Sequence, residues 1–287
     1  MVIRKSVLVT GASSGIGKEC ALYLDKMGFR VFAGVRTEHA KEKIQKDVSD
    51  RFRPIILDVT KDETIRSTLE IIVKDHEYPL YALVNNAGIG LRGVLEMTPE
   101  EELRKLLEVN VIGLHAVTKA FLPLLRQNKG RIVNMGSENS FTAGPSGSSY
   151  AASKFAVRAI TDSLRLELLS FGMSVSLIAP TSTDSDIWKK NKIYRDNLHK
   201  NAASELHEAY KFFIKSEEKI NIDNIKTIAV EEVAKSVAHA LTSKKPKYEY
   251  PVGKKAKKVY RFSKLPKNIA IGHTVRRLIK YMKRTNV

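Results

Sequence analysis

Apolar residues along this chain follow two alternating patterns. Short runs rich in Val, Ile and Leu at 6–9, 31–35, 54–57, 80–84, 132–135 and 175–178 have the length and composition of buried strands. Between them, apolar positions recur at helical spacing over 16–27, 38–48, 63–75, 99–126 and 150–170, which predicts a helix in each interval. Strand and helix in alternation imply a parallel sheet covered on both faces, because parallel neighbours need a helix-length crossover between them. Right-handed crossovers then wind the chain into a doubly wound, three-layer α/β sandwich.

The pattern breaks after Pro180. Residues 181–228 mix charges with Trp188, Tyr194, Tyr210, Phe212 and Phe213 and hold no strand-like run, as expected of a helical lid inserted into a compact domain. A helix over 230–241 and a short strand near 248–252 are expected to complete the sheet. The expected organisation is a body over 1–243, lid included, followed by a last strand and a basic, partly amphipathic extension over 244–287.

Composition sharpens this picture at the end of the chain. With 287 residues, 43% of them hydrophobic, a large core can be buried. The formal charge of +18 is concentrated: 244–287 holds 15 Lys or Arg and one acid, Glu249, whereas the preceding 243 residues carry 34 basic and 30 acidic groups. A nearly neutral body ending in a cationic arm bears on partners rather than on fold. A lone cysteine, Cys20, excludes an internal disulfide and a thiolate zinc site, and the seven histidines show no metal-ligand spacing. No apolar run reaches the roughly 20 residues that span a bilayer, and Arg4 and Lys5 follow Met1 too closely for a signal peptide. The expectation is a cytoplasmic protein, soluble or peripheral to a membrane.

The first strand runs directly into Thr10-Gly11-Ala12-Ser13-Ser14-Gly15-Ile16-Gly17, and a helical pattern follows. Glycines at a strand-to-helix turn let backbone approach a pyrophosphate, and the helix N-terminus adds oriented N–H groups and partial positive charge. The turn therefore reads as a dinucleotide site with G-x-x-x-G-x-G spacing; alternatively it only closes a strand–helix corner.

Together with this turn, Asn85-Asn86-Ala87-Gly88, Ser137, Tyr150 and Lys154 follow in order to about Pro180. This series resembles the short-chain dehydrogenase/reductase family. Val31-Phe32-Ala33-Gly34 and Leu57-Asp58-Val59-Thr60 resemble its retinol and hydroxysteroid dehydrogenase branch. The resemblance implies a single Rossmann-type domain in which Gly11, Gly15 and Gly17 face a pyrophosphate, with Ser13, Ser14 and Ile16 of the same turn also at the cofactor. It implies that Asp58 and Val59 hold the adenine edge, and that Asn85, Ala87 and Gly88 border the adenine ribose and steady the central strands. Asp58 has a second available task, capping the helix after Thr60. At the end of the second strand, where an NAD enzyme places an acid, stand Val35 and Arg36. An arginine there can pair with a 2′-phosphate, which favours NADP(H) over NAD(H) unless Arg36 is only a solvated charge.

Hydride transfer between a nicotinamide and a carbonyl needs a proton donor at the substrate oxygen and stabilisation of the charge developing there. A tyrosine, with an unperturbed pKa near 10, serves when a cation lowers it. Lys154 follows Tyr150 by four residues and so shares its helix face, about 6 Å along the axis; an oxidised nicotinamide adds a second positive charge. Ser137 ends the strand 132–135, where open α/β sheets hold ligands. By resemblance Ser137 hydrogen-bonds the substrate oxygen, Asn110 holds a water beside the lysine, and Lys154 also binds the nicotinamide ribose. Two features depart from the family pattern. Pro180 is followed by Thr181 in place of glycine, leaving Thr183 and Ser185 as candidate hydroxyls for the carboxamide, and Ser137 is followed by Glu138, Asn139 and Ser140 where small apolar residues are usual. A carboxylate at 138 either favours a polar substrate or points to water.

The expected function is therefore an NADP(H)-dependent oxidoreductase interconverting an alcohol and a ketone or aldehyde on a small lipophilic substrate such as a steroid, retinoid or lipid. The lid aromatics either wall the substrate pocket or anchor the lid. In the extension, Val275, Leu278, Ile279 and Met282 form one helical stripe with cations opposite. That pattern fits an anionic membrane surface or a helix docked on its own body, while nucleic acid is disfavoured because no recognition motif accompanies the charge. By resemblance the chain forms a homodimer or homotetramer through the helices at 99–126 and 150–170. The rival reading is a non-catalytic dinucleotide-binding scaffold or sensor with a basic interaction tail.

Overall fold

The computed structural model describes residues 4–46, 48–184, 187–218 and 226–284. Seven strands, β1 (Ser6–Val9), β2 (Arg30–Val35), β3 (Phe52–Ile56), β4 (Leu80–Asn85), β5 (Arg131–Met135), β6 (Ser174–Pro180) and β7 (Glu249–Val252), form one sheet in the order β3-β2-β1-β4-β5-β6-β7. All six pairings are parallel. The first helices are α1 (Gly15–Lys26), α2 (Glu38–Ile44), α3 (Asp62–Val73), α4 (Glu100–Leu107), α5 (Gly113–Gln127) and α6 (Ser148–Glu167). Then come α7 (Ile187–Asn201), α8 (Ser204–Ala209), α9 (Lys211–Glu218), α10 (Val230–Thr242), α11 (Lys254–Phe262) and α12 (Lys267–Arg284).

Helices cover both faces of the sheet, which is why β1 is apolar at nearly every position and wholly buried. On one face, Cys20, Ala21 and Leu24 of α1 and Val233, Val237 and Leu241 of α10 share a core with β1, β2 and β4. On the other, Ile65 and Ile72 of α3 and Val117, Phe121 and Leu125 of α5 pack against Leu8, Phe32, Leu83 and Ile132. Each large side chain so buried contributes about 1.5–3 kcal/mol. Burial also pushes the Cys20 thiol up to about 12, so it is an inert core group.

Two helices differ from their expected extents. The helix anticipated over 99–126 is interrupted between α4 and α5 by a π turn, Glu108–Ile112, closed by a hydrogen bond from Gly113 N–H to the Glu108 carbonyl. This turn carries Asn110 inward. By length and composition the span Glu100–Gln127 is apolar enough to cross a membrane, contrary to the sequence expectation, yet its Leu114, Val117, Phe121 and Leu125 lie in the protein core. The helix anticipated over 38–48 ends at Ile44, because the chain beyond it is drawn to α1, where Ser49 N–H donates to Asp25 Oδ2 (3.0 Å).

The lid consists of α7, α8 and α9, and its two ends are joined by a parallel bridge between Thr183 and Ile228. Its underside, Leu198, Tyr210 and Ile214, packs against Val94 and Met97 of the loop after β4, and Tyr210 donates to Glu96 Oε2 (2.6 Å). At the chain end, β7 completes the sheet and α11 sinks Ala256 fully. In contrast, α12 leaves Ile269, Ile271, Val275 and Ile279 about half exposed.

Candidate active site

The order of strands reverses beside β1, which pairs with both β2 and β4, and the crevice at the carboxyl ends of an open sheet opens at such a reversal. The glycine-rich turn leaves β1 there. Gly11 and Gly15 have φ of +66° and +55°, a region that favours glycine. A Cβ on Gly17 would lie 2.3 Å from the Gly11 carbonyl oxygen, so the turn and the start of α1 touch backbone to backbone. Ser14 occupies the N-cap of α1 without capping it, while Ser13 is exposed and Ile16 partly buried.

Asn86 locks this turn and was not singled out by the sequence, although it lies within the Asn-Asn-Ala-Gly motif. Its Nδ2 donates to the carbonyls of Thr10 (2.9 Å) and Gly11 (3.1 Å), and Thr10 Oγ1 accepts from the N–H groups of Asn86 (3.0 Å) and Ala87 (2.9 Å). Asn85 is turned into the core, donating to Thr118 Oγ1 (2.8 Å) and Asn134 Oδ1 (2.9 Å), the strand-steadying half of its expected role. Asp58 Oδ1 accepts from the N–H and hydroxyl of Thr60 (3.0 and 2.8 Å), shaping the turn before α3, with Val59 buried beside it. Arg36 is exposed at the end of β2, directly after the buried Val35.

On α6, Lys154 is 5% exposed, donates to the Met135 carbonyl at the end of β5 (2.9 Å), and lies 5.7 Å from the centroid of the Tyr150 ring. Gly88 sits under it: a Cβ there would be 3.7 Å from Nζ and 3.2 Å from Asn110 Oδ1. Asn110 is buried, its Oδ1 accepting from Ile89 N–H (2.8 Å) and its Nδ2 donating to the Ile89 carbonyl (3.0 Å) and Ser153 Oγ (3.1 Å). Its side chain thus pins the loop after β4 to α6.

Ser137 caps the short turn Glu138–Ser140 at the end of β5, with its Oγ accepting from Asn139 N–H (3.2 Å), and it lies close enough to Tyr150 to influence the phenol. The electrostatics differ from expectation. Burial dominates and pushes the Tyr150 phenol up to about 12; the Ser137 hydroxyl pulls it down and the Glu138 charge raises it. Burial also lowers Lys154 to about 8. In the protein alone, then, Lys154 does not make Tyr150 acidic, because withdrawing the phenolate from water outweighs an ammonium that is itself desolvated.

Glu138 does not point to water. It is 9% exposed, accepting from Thr181 Oγ1 (2.8 Å) and pairing with Lys255 Nζ of α11 (2.5 Å). Pro180 is buried at the end of β6 and Thr183 is buried in the bridge at the base of the lid; Ser185 lies outside the described residues. Asn191 of α7 crowds Gly90, and Leu198 crowds Gly93, so the lid lies on the loop after β4.

A doubly wound parallel sheet with a glycine-rich turn at its reversal, and with Ser137, Tyr150 and Lys154 brought together at the end of β5, is the architecture of a Rossmann-type α/β protein. The family model of short chain dehydrogenases matches residues 5–195, and the chain belongs to that family of oxidoreductases. It is 37% identical over 273 residues to retinol dehydrogenase 7 of Rattus norvegicus, covering 89% of this chain and 83% of the relative. With 17-beta-hydroxysteroid dehydrogenase type 6 of Bos taurus it shares 37% identity over 256 residues, 87% of this chain and 80% of that one. A solved short chain dehydrogenase from Burkholderia cenocepacia in complex with NADP superimposes with a TM-score of 0.72 at 26% identity, over 95% of this chain and 98% of the other. The expected fold class, family and enzyme class are thereby borne out.

Proposed function

We propose that this oxidoreductase uses NADP(H) to interconvert an alcohol and a ketone or aldehyde on a lipophilic substrate of steroid, retinoid or lipid type. The observation that carries the reading is the placement of Lys154, buried, bonded to the Met135 carbonyl and 5.7 Å from the Tyr150 ring, with Ser137 at the same end of β5, beside the glycine-rich turn. The residues present fit the cofactor: Gly11 and Gly17 leave no room for a Cβ, α1 offers its uncapped N-terminus, and Arg36 stands exposed where a 2′-phosphate would need a cation. When bound, the dinucleotide supplies or accepts the hydride.

This chain's own groups supply the rest. Tyr150, held up at about 12, keeps its proton at neutral pH and is therefore a donor to a carbonyl oxygen. Ser137 gives a second hydroxyl to that oxygen. Lys154, fixed on Met135, holds a positive charge beneath the phenol and offers its remaining donors to a ribose. Asn110, carried inward by the π turn and lying on the far side of Gly88 from Lys154, is the residue we assign to hold a water that joins Lys154 to solvent. Thr183 and Pro180 are the residues that would border the carboxamide of a bound nicotinamide.

The named activities of the two relatives support a lipophilic substrate. Exposed Ile112 beside α5 and Phe155 on α6 support a homodimer built on these helices. The stripe of Ile271, Val275 and Ile279, flanked by exposed Arg276 and Lys280, supports attachment of α12 to an anionic membrane surface. The test is turnover of NADPH by purified protein with a panel of retinal, 17-ketosteroids and simple aliphatic ketones. Tyr150→Phe should lower the rate by about 10²–10⁴-fold while NADPH still binds. Binding with no turnover on any substrate would favour the scaffold reading.

A further inference from the structure

Glu138 occupies an unusual place for a buried carboxylate: it directly follows Ser137, and its oxygens reach across to two distant elements. Oε2 accepts from Thr181 at the end of β6 (2.8 Å) and Oε1 from Lys255 at the start of α11 (2.5 Å), a residue 117 positions away in sequence. The carboxylate side chain is 11% exposed whereas that of Lys255 is 66% exposed, so a surface cation reaches down to a covered anion. The contact is not isolated. Tyr260 of α11 packs edge-on against Phe141, with centroids 5.1 Å apart, and Val259 and Tyr260 lie against the cluster containing Leu114, Phe141 and Val157. The first helix of the basic extension is therefore braced on the turn that presents Ser137.

We infer that the Glu138–Lys255 pair is a positioning device for the proton-transfer site, through which the C-terminal extension sets the placement of Ser137 and the charge felt by Tyr150. The inference rests on the assignment of Ser137 and Tyr150 made above. The groups at Glu138 are Lys255 of α11 and Thr181, directly after β6, which bond it, and Tyr150 of α6, on which its charge acts. Arg158, also on α6, lies over the Phe141 ring and forms ion pairs with Glu249 and Asp162 instead. Among these groups only Lys255 is both cationic and paired with the carboxylate, so its charge offsets the effect of Glu138 on Tyr150. A buried carboxylate deprived of its cation acts at full strength in a medium of low polarity. The position of α11 thus becomes a control on the phenol, and α12, which carries the exposed apolar stripe, follows α11 after four residues.

The experiment measures the pH dependence of kcat/KM for alcohol oxidation with NADP+, using retinol, a 17β-hydroxysteroid and cyclohexanol as probes. In this direction the rate rises as Tyr150 loses its proton. Glu138→Gln, which keeps shape and the Thr181 contact, should move the rising limb down by about half a pH unit or more, and Lys255→Met should move it up by a similar amount. The double variant should fall between the two single variants, because the carboxylate and the cation act on Tyr150 with opposite signs. Lys255→Arg should restore the wild-type profile. Limbs that coincide in all four variants, whatever their thermal stability, overturn the inference and leave the pair a structural tie. Tyr150→Phe with full turnover, or wild-type protein silent on every probe, overturns instead the site assignment on which the inference rests.

Discussion

Replacing Gly17 by Ala tests the glycine-rich turn at its tightest point. A methyl carbon built there would lie 2.3 Å from the Gly11 carbonyl oxygen and 2.3 Å from Asn86 Nδ2, against the 3.4 Å at which ordinary contact begins. Neither neighbour can withdraw freely. The oxygen belongs to the turn itself, and Asn86 is held by its bonds to Thr10 and Gly11. Relief requires the turn to move relative to α1, at a cost of about 1–3 kcal/mol by analogy with overpacked cores. If the turn in its present shape is what cradles the pyrophosphate, that cost falls on the bound state. The NADPH dissociation constant then rises by about 5- to 150-fold, at roughly 1.4 kcal/mol per tenfold. The assay is a fluorescence titration of NADPH with a thermal unfolding curve for each variant. Gly144→Ala is the control, since that glycine is exposed and a Cβ there meets nothing within 4 Å. NADPH affinity and unfolding midpoint both unchanged in Gly17→Ala would refute the reasoning, because the methyl group would then have found room that the geometry denies it.

Three further outcomes are expected. Arg36→Ala should weaken NADPH by about tenfold while leaving NADH nearly unaffected, measured by the same titration; equal loss of both would make Arg36 a solvated charge. Lys154 binds its proton more weakly folded, at about 8, than its ordinary 10.5. The unfolded chain therefore carries the extra proton between those values, and stability should rise with pH across that window, by on the order of 3 kcal/mol relative to Lys154→Met. Unfolding midpoints of the two proteins that run parallel from pH 7 to 10.5 would contradict this. Asp at Ile271, Val275 and Ile279 together should abolish flotation with anionic vesicles without changing NADPH binding, since all three are exposed; flotation unchanged by these substitutions would remove α12 as the membrane contact.

Much of this protein is written locally. Strand runs and helix periods place the seven strands and most helices to within a few residues, because burial on both faces leaves a parallel strand little choice but Val, Ile, Leu and Ala. Order and spacing alone bring Gly11, Gly17, Ser137, Tyr150 and Lys154 to one edge, since every parallel strand delivers its carboxyl end to the same side of the sheet. The π turn was not legible, because the spacing of apolar residues around Glu108–Ile112 barely differs from that of a regular helix.

What sequence could not determine depends on contacts between distant parts of the chain. Asn86 looks like any motif residue until its amide is seen to span the glycine-rich turn. Lys255 reads as one of many surface cations until α11 brings it onto Glu138, and Glu138 itself left open whether it faced substrate or water. The net displacement of the Tyr150 proton is likewise invisible in a Tyr-x-x-x-Lys spacing, for spacing gives proximity while desolvation depends on how much of the surrounding protein has closed over the group. Sequence fixed which side chains could meet; burial, which only the assembled fold supplies, decided how strongly each meeting acts.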